Sequence, residues 1–83
     1  MQVEIRFFAA IREAVGAGAL TLDTSAATVG ALRDELIARG DAWAEALARG
    51  KAVRASLNQV MADDAAALQP GCEVAFFPPV TGG

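Results

Sequence analysis

The sequence has 83 residues, no histidine and a single cysteine, Cys72, and these shortages exclude most kinds of self-contained active site. One cysteine cannot form an internal disulfide, and it leaves nothing from which to assemble an iron–sulfur or zinc cluster. Without histidine, neither Cys72 nor the serines Ser25 and Ser56 have an imidazole base to activate them. We therefore expect no metal site and no bound cofactor, and we interpret Cys72 as a small, partly buried residue.

Positive charge is also scarce, since 7 Lys and Arg residues face 10 Asp and Glu residues and leave a net charge of −3. The basic residues are scattered, so no stripe of positive charge is available to neutralise a phosphate backbone, and we expect no nucleic-acid binding. No apolar run approaches membrane-spanning length. The first residues alternate between polar and apolar types, which is the pattern of a strand and not of a signal peptide. We expect a cytoplasmic protein with no membrane segment.

Apolar and polar residues alternate in two stretches that predict strands, one through Val3, Ile5 and Phe7 and one through Leu20 and Leu22. A third strand is predicted by the alternation at 53–57, followed by a turn at 58–59. Further along, Pro-Gly at 70–71 fits the centre of a type II turn, and a last strand runs from about residue 73 to 77.

Three helices are predicted between these strands. A short helix covers 9–15, and the main helix has Thr28 as its N-cap, an apolar stripe and a stop at Gly40. We expect Asp41 to cap a second, shorter helix in which Trp43 anchors the core edge. This order favours an α+β fold in which one main helix packs across a mixed four- to five-stranded sheet, the β-grasp or ubiquitin-like roll.

The fold predicts an aromatic patch on the sheet and a tail after the last strand. If the first and last strands are neighbours at the sheet centre, Phe8 and Phe77 point to the face that the helix does not cover, where they form an exposed aromatic patch. Residues 1–77 then form the β-grasp domain, and 78–83 form a flexible tail that ends in Gly82 and Gly83. The simpler interpretation of the patch is that Phe8 and Phe77 fill a core edge, and the simpler interpretation of the tail is a disordered terminus.

The tail is the best candidate for chemistry, because the carboxylates Asp63 and Asp64 are predicted to be solvated turn residues rather than an acid–base pair. Two prolines at 78–79 hold the chain extended as it leaves the sheet, and the final glycines have no side chains to block a narrow channel. The carboxylate of Gly83 could be activated with ATP as an acyl-adenylate, which sulfide converts to a thiocarboxylate.

Several segments resemble the small, sulfur-carrying subunit of molybdopterin synthase, and the resemblance runs over nearly the whole chain. The segments are FFAAIREAVG from 7 to 16, TVGALRDEL from 28 to 36, WAEAL with the following GK, SLNQ around 58, and PGCEVAFFPPVTGG from 70 to 83. The last is the most specific, since plain ubiquitin-like tails and thiamine-pathway carriers share Gly-Gly but not the preceding run.

The resemblance implies that an ATP-dependent adenylating enzyme activates Gly83, that sulfur replaces an oxygen there, and that the thiocarboxylate donates sulfur to cyclic pyranopterin monophosphate. The chain itself would then be no enzyme, because the catalytic residues lie on the large subunit, with which it forms a heterotetramer of two small and two large subunits. Gly83 bears the sulfur, Gly82 is its small neighbour, Pro78, Pro79, Val80 and Thr81 form the inserted stem, and Phe8 and Phe77 belong to the interface. Cys72 has no role in this scheme.

Two alternatives remain open. The chain could be a Gly-Gly sulfur carrier for another pathway, such as thiamine, cysteine or tRNA thiolation, with the same chemistry and a different acceptor. It could also be a non-catalytic β-grasp interaction module whose aromatic face binds a partner while the tail does nothing.

Overall fold

A computed structural model describes residues 1–79 and contains five strands and three helices within that range. In chain order these are β1 (Gln2–Phe7), α1 (Ala9–Val15), β2 (Ala19–Asp23), α2 (Val29–Ile37), α3 (Asp41–Leu47), β3 (Arg54–Leu57), β4 (Val60–Ala62) and β5 (Glu73–Phe77).

All five strands form one mixed sheet in the order β2-β1-β5-β3-β4. The central pair, β1 and β5, is parallel, whereas every other neighbouring pair is antiparallel. A parallel pair needs a long crossover between its strands, and here the intervening chain supplies helices that cover one face of the sheet. The predicted β-grasp fold is confirmed.

The core lies between the sheet and the helices and is built by alternation. Every second residue of β1 is buried, from Val3 to Phe7, while the residues between them are exposed. Phe7 stacks on Phe76 of β5 with ring centroids 6.3 Å apart, and the edge of Trp43 from α3 meets Phe7 at 5.3 Å. Such aromatic contacts add to the burial of apolar area, so Trp43 is the predicted anchor at the core edge.

The main helix begins as predicted, because the Thr28 hydroxyl accepts a hydrogen bond from the Ala31 amide at 3.2 Å. The predicted cap of α3 is wrong. Gly40 is its N-cap, with a φ of +80° that favours glycine, and Asp41 is the first helical residue and makes no capping hydrogen bond. The helix ends at Leu47.

Two turns fix the second half of the sheet. Gly71 has a φ of +78°, and the Cys72 amide donates to the Gln69 carbonyl at 3.1 Å, which confirms the type II turn before β5. Asn58 and Gln59 both have positive φ, 50° and 68°, as the tightest hairpin turns require. That turn folds the chain back onto β3, so Val60 and Met61, which follow the turn, belong to a strand, β4.

Within the described part of the chain, no helix is long and apolar enough to cross a membrane.

Candidate functional site

The predicted tail leaves the protein from the middle of the sheet. Its last strand, β5, is hydrogen-bonded to β1 on one side and to β3 on the other, and the Phe8 amide donates to the Phe76 carbonyl at 3.2 Å beyond the end of β1. Pro78 follows directly and is half-buried, and Pro79 is exposed. A strand that is hydrogen-bonded on both sides gives the first two residues of the stem, Pro78 and Pro79, a fixed starting position.

Four of the predicted site residues, Val80, Thr81, Gly82 and Gly83, lie outside the described residues. Their assigned roles, including that of Gly83 as the reacting terminus, stay predictions. The same holds for the division of the chain at 77 and 78.

An apolar surface lies on the sheet face that the helices leave uncovered, next to the stem. We call it the open-face patch and define it by Phe8, Met61 and Phe77, which line one shallow depression together with Ala75 and Ser56. Phe8 is 46% exposed and Met61 is 60% exposed, whereas Phe77 is less exposed and is partly buried. The two phenylalanines do share a face as expected, although Phe77 is less exposed than predicted. Exposed apolar residues that cluster in this way are typical of a docking surface.

Met61 was missed at the level of sequence, although the sequence contained a signal for it. Asn58-Gln59 connects strands by a turn of two residues, so the residues after it must pair back with β3. Met61 pairs with Ser56, and strand alternation then places its side chain on the open face while its neighbour Val60 points the other way.

Charges border the open-face patch. The guanidinium of Arg6 pairs with the carboxylate of Glu73 at 3.2 Å, and both side chains line the same depression. Arg6 remains about half exposed, so the pair is largely solvated. An apolar centre with a polar rim is the usual composition of a protein–protein interface.

A second charged cluster lies on the helix side and joins α2 to two loops. The guanidinium of Arg49 donates hydrogen bonds to the Asp34 carboxylate at 2.9 Å, the Asp64 carboxylate at 2.6 Å and the Gly30 carbonyl at 2.9 Å. The hydrogen bond from Arg49 lowers the pKa of Asp34, and the bonds from Asp34 and then Asp64 raise the pKa of Arg49. Asp64 is therefore an exposed turn residue, as predicted, and it also forms an ion pair with Arg49, which was not predicted.

Arg33 is the buried member of this region and has a structural role. Its guanidinium donates to the Leu47 carbonyl at 2.8 Å and to the Ala48 carbonyl at 2.7 Å, so it ties α2 to the end of α3. Burial and then the charge of Arg49 lower the pKa of Arg33. An arginine stays protonated even so, and buried charges that are hydrogen-bonded in this way support a fold rather than supply a proton.

Cys72 is 4% exposed and lies just before β5, at the opposite end of that strand from the stem. A strand of this length spans about 16 Å, which keeps the thiol away from the tail's point of departure. Within residues 1–79, no group of three histidine, cysteine or acidic side chains is placed to hold a metal ion. The described residues thus hold the start of the stem at the end of a central strand, and they present a surface to which a partner protein can bind.

Comparisons with known proteins agree with this architecture. The sequence pattern of the ThiS family matches residues 5–83. A molybdopterin synthase sulfur carrier subunit from Haemophilus influenzae is 44% identical over 98% of this chain and 99% of its own length. A second subunit of that name, from Escherichia coli, is 46% identical with the same coverage. The solved complex of subunits 1 and 2 of the molybdopterin-converting factor from Helicobacter pylori contains a chain that is 27% identical, with full coverage of both chains and a TM-score of 0.70.

Proposed function

This chain belongs to the ThiS family, and from that membership we propose that it is the sulfur-carrier subunit of molybdopterin synthase. The observation that carries the proposal is the match to two curated sulfur carrier subunits over 98% of this chain, and the family pattern also reaches residue 83. The chain is not an enzyme on its own. It is the sulfur-donating part of a complex whose catalytic residues lie on another subunit.

The chemistry begins at the carboxylate of Gly83, which is a poor electrophile until it is activated. A carboxylate oxygen attacks the α-phosphate of ATP in an adenylating enzyme, so pyrophosphate leaves and an acyl-adenylate forms. Sulfide then attacks the acyl carbon and displaces AMP, which leaves a thiocarboxylate on Gly83. Both events require the terminus to enter an enclosed site, and the absence of side chains on Gly82 and Gly83 permits close approach. Because ATP is consumed, we place the cycle in the cytoplasm.

The second half of the cycle delivers the sulfur. The thiocarboxylate enters the pocket of the large catalytic subunit and donates its sulfur to cyclic pyranopterin monophosphate, towards the dithiolene of molybdopterin. Two carriers bind one dimer of large subunits, giving a heterotetramer. The complex of subunits 1 and 2 from Helicobacter pylori supports the pairing of a small chain with a second subunit.

The geometry supports this cycle through the stem and the open-face patch. The stem follows a strand that is hydrogen-bonded on both sides, so its first residue, Pro78, starts from a fixed position. A segment that is held at one end before docking loses less freedom when it binds. Phe8 and Phe77 lie beside the stem, and we infer that they contact the large subunit together with Met61.

Carriers for thiamine, cysteine or tRNA thiolation are less favoured, because both curated relatives carry the name of the molybdopterin synthase subunit. The acceptor can be tested directly. Thiocarboxylated chain is mixed with the large catalytic subunit and cyclic pyranopterin monophosphate, and the molybdopterin formed is measured in a single turnover.

We expect molybdopterin in proportion to the thiocarboxylate supplied, and none from the chain that ends in a carboxylate. If the loaded chain keeps its sulfur in this mixture but transfers it to the thiazole-forming enzyme of thiamine synthesis, the assignment to molybdopterin synthase is wrong.

A further inference from the structure

A second apolar surface borders the stem on the helix side of the sheet. It is a groove between α1 and α3, and its lining is dominated by small residues: Ala10 and Ala14 from α1 and Ala42 and Ala46 from α3, with Pro78 closing one end. Ala10 and Ala14 are four residues apart, so they share one face of the helix, and both are exposed. The groove has a volume of about 340 Å³, which is enough to receive a side chain from outside.

The groove lies close to the surface already assigned to docking. Pro78 lines the groove, and it directly follows Phe77 of the open-face patch. Phe8 belongs to the patch, and Ala10 of the groove follows it two residues later, at the start of α1. The stem therefore leaves the protein between two apolar surfaces, one on each side of the sheet.

The length of the tail requires a partner to come close to both surfaces. In the proposed function Gly83 is the reacting residue, and it lies four residues beyond Pro79, a stretch that spans at most about 14 Å even when fully extended. A partner that encloses the terminus in a recessed pocket must begin that pocket within this distance of Pro79. The walls of the pocket then cover the residues around Pro78.

Two charges at the groove indicate what the covering surface carries. Glu45 and Lys51 both line the groove and are exposed, and within residues 1–79 neither of them forms an ion pair. A solvated pair of opposite charges beside an apolar floor can be matched by opposite charges on a partner, which sets orientation and association rate more than affinity.

We propose that the groove is a second docking contact for the large catalytic subunit and that it receives an aliphatic side chain of that subunit, flanked by a basic group that faces Glu45. This inference depends on the proposed function, which names the partner. It adds a contact on the helix side of the stem to the one on the open face, so the large subunit holds the stem from both sides.

The test compares two leucine substitutions on exposed helix surfaces. Ala14→Leu fills the groove, whereas Ala31→Leu adds the same side chain to α2, outside the groove lining. Binding of each purified, folded variant to the large catalytic subunit is measured by calorimetry. We expect Ala14→Leu to weaken binding at least tenfold and Ala31→Leu to leave it unchanged.

A charge pair of variants provides an independent arm. Glu45→Lys reverses a charge at the groove, and Glu13→Lys makes the same change on α1 outside the groove lining. We expect Glu45→Lys to slow association with the large subunit several-fold at low salt, with a smaller effect at high salt, and Glu13→Lys to have little effect.

The outcomes separate this inference from the proposed function. If the unmodified chain does not bind the large subunit at all, the proposed function fails. If the unmodified chain binds and both groove variants bind equally well, the groove is not a contact and only the present inference is overturned. It is also overturned if the groove variants bind the large subunit normally but are poor substrates of the adenylating enzyme, since the groove then belongs to that partner.

Discussion

Replacing Phe8 with alanine tests the open-face patch quantitatively. Phe8 is 46% exposed, so with a side chain of roughly 200 Å² it leaves about 90 Å² of apolar area for a partner to cover. At about 25 cal/mol per Å², covering this area stabilises the complex by about 2 kcal/mol. The dissociation constant of Phe8→Ala for the large catalytic subunit should therefore rise by about 30-fold.

The assay is calorimetric titration of the folded variant with the large subunit, and Val60→Ala is the matched control. Val60 is 69% exposed, more than Phe8, but strand alternation directs it away from the open face. It should bind like the unmodified chain. A Phe8→Ala chain that binds within a factor of two of the unmodified chain, or a Val60→Ala chain that is weakened as much as Phe8→Ala, would refute the assignment of this face.

Three further predictions concern single residues. Phe77→Asp should weaken binding to the large subunit at least tenfold while the circular dichroism spectrum stays that of the folded chain; an unfolded variant would show that the residue belongs to the core. Arg33→Met should lower the free energy of unfolding in urea by about 2–3 kcal/mol, because two buried carbonyls at the end of α3 lose their charged donor; a loss below about 0.5 kcal/mol would contradict that role. The hydrogen bond from Arg49 lowers the pKa of Asp34, so the contribution of Asp34 to stability is present at neutral pH and disappears as the pH falls through its lowered folded-state pKa. The stability difference between the unmodified chain and Asp34→Asn should therefore shrink on acidification, and a difference that is constant from pH 7 to pH 3 would contradict the ion pair.

Much of this fold follows from local patterns in the sequence. Alternation in β1, the Thr28 cap and the turn at Gly71 are decided by neighbouring residues, and the structure confirms each of them. The bounds of α1 and of β5 also agree with those predicted. These elements were predictable because hydrophobic period and turn chemistry point to the same structure.

The features that the sequence did not predict have different physical causes. Asp41 is a good capping residue by type, yet the glycine before it adopts a positive φ and takes the cap position. Asp64 belongs to a loop, but Arg49 reaches it from another loop, a contact between residues fifteen apart that no local pattern predicts. Met61 was missed for a third reason, since a strand of three residues is too short to show a period.

Only part of the candidate site could be predicted from the sequence. Sequence placed Phe8 and Phe77 on one face because strand parity decides side-chain direction once two strands are neighbours. The helix-side groove could not be anticipated, because it depends on how α1 and α3 pack. The chemistry of Gly83 depends on the proposed function, because this residue lies outside the described range, and it is tested by an experiment on that residue.

The most direct measurement of that chemistry is the intact mass of the chain after incubation with ATP, a sulfur donor and the adenylating enzyme. The proposed carrier role predicts a mass gain equal to the exchange of one oxygen for one sulfur, absent from a chain that lacks Gly83. An unchanged mass, obtained while the same enzyme preparation loads sulfur onto another carrier, would contradict the sulfur-carrier function and leave the open-face patch as the surface of a simple interaction module.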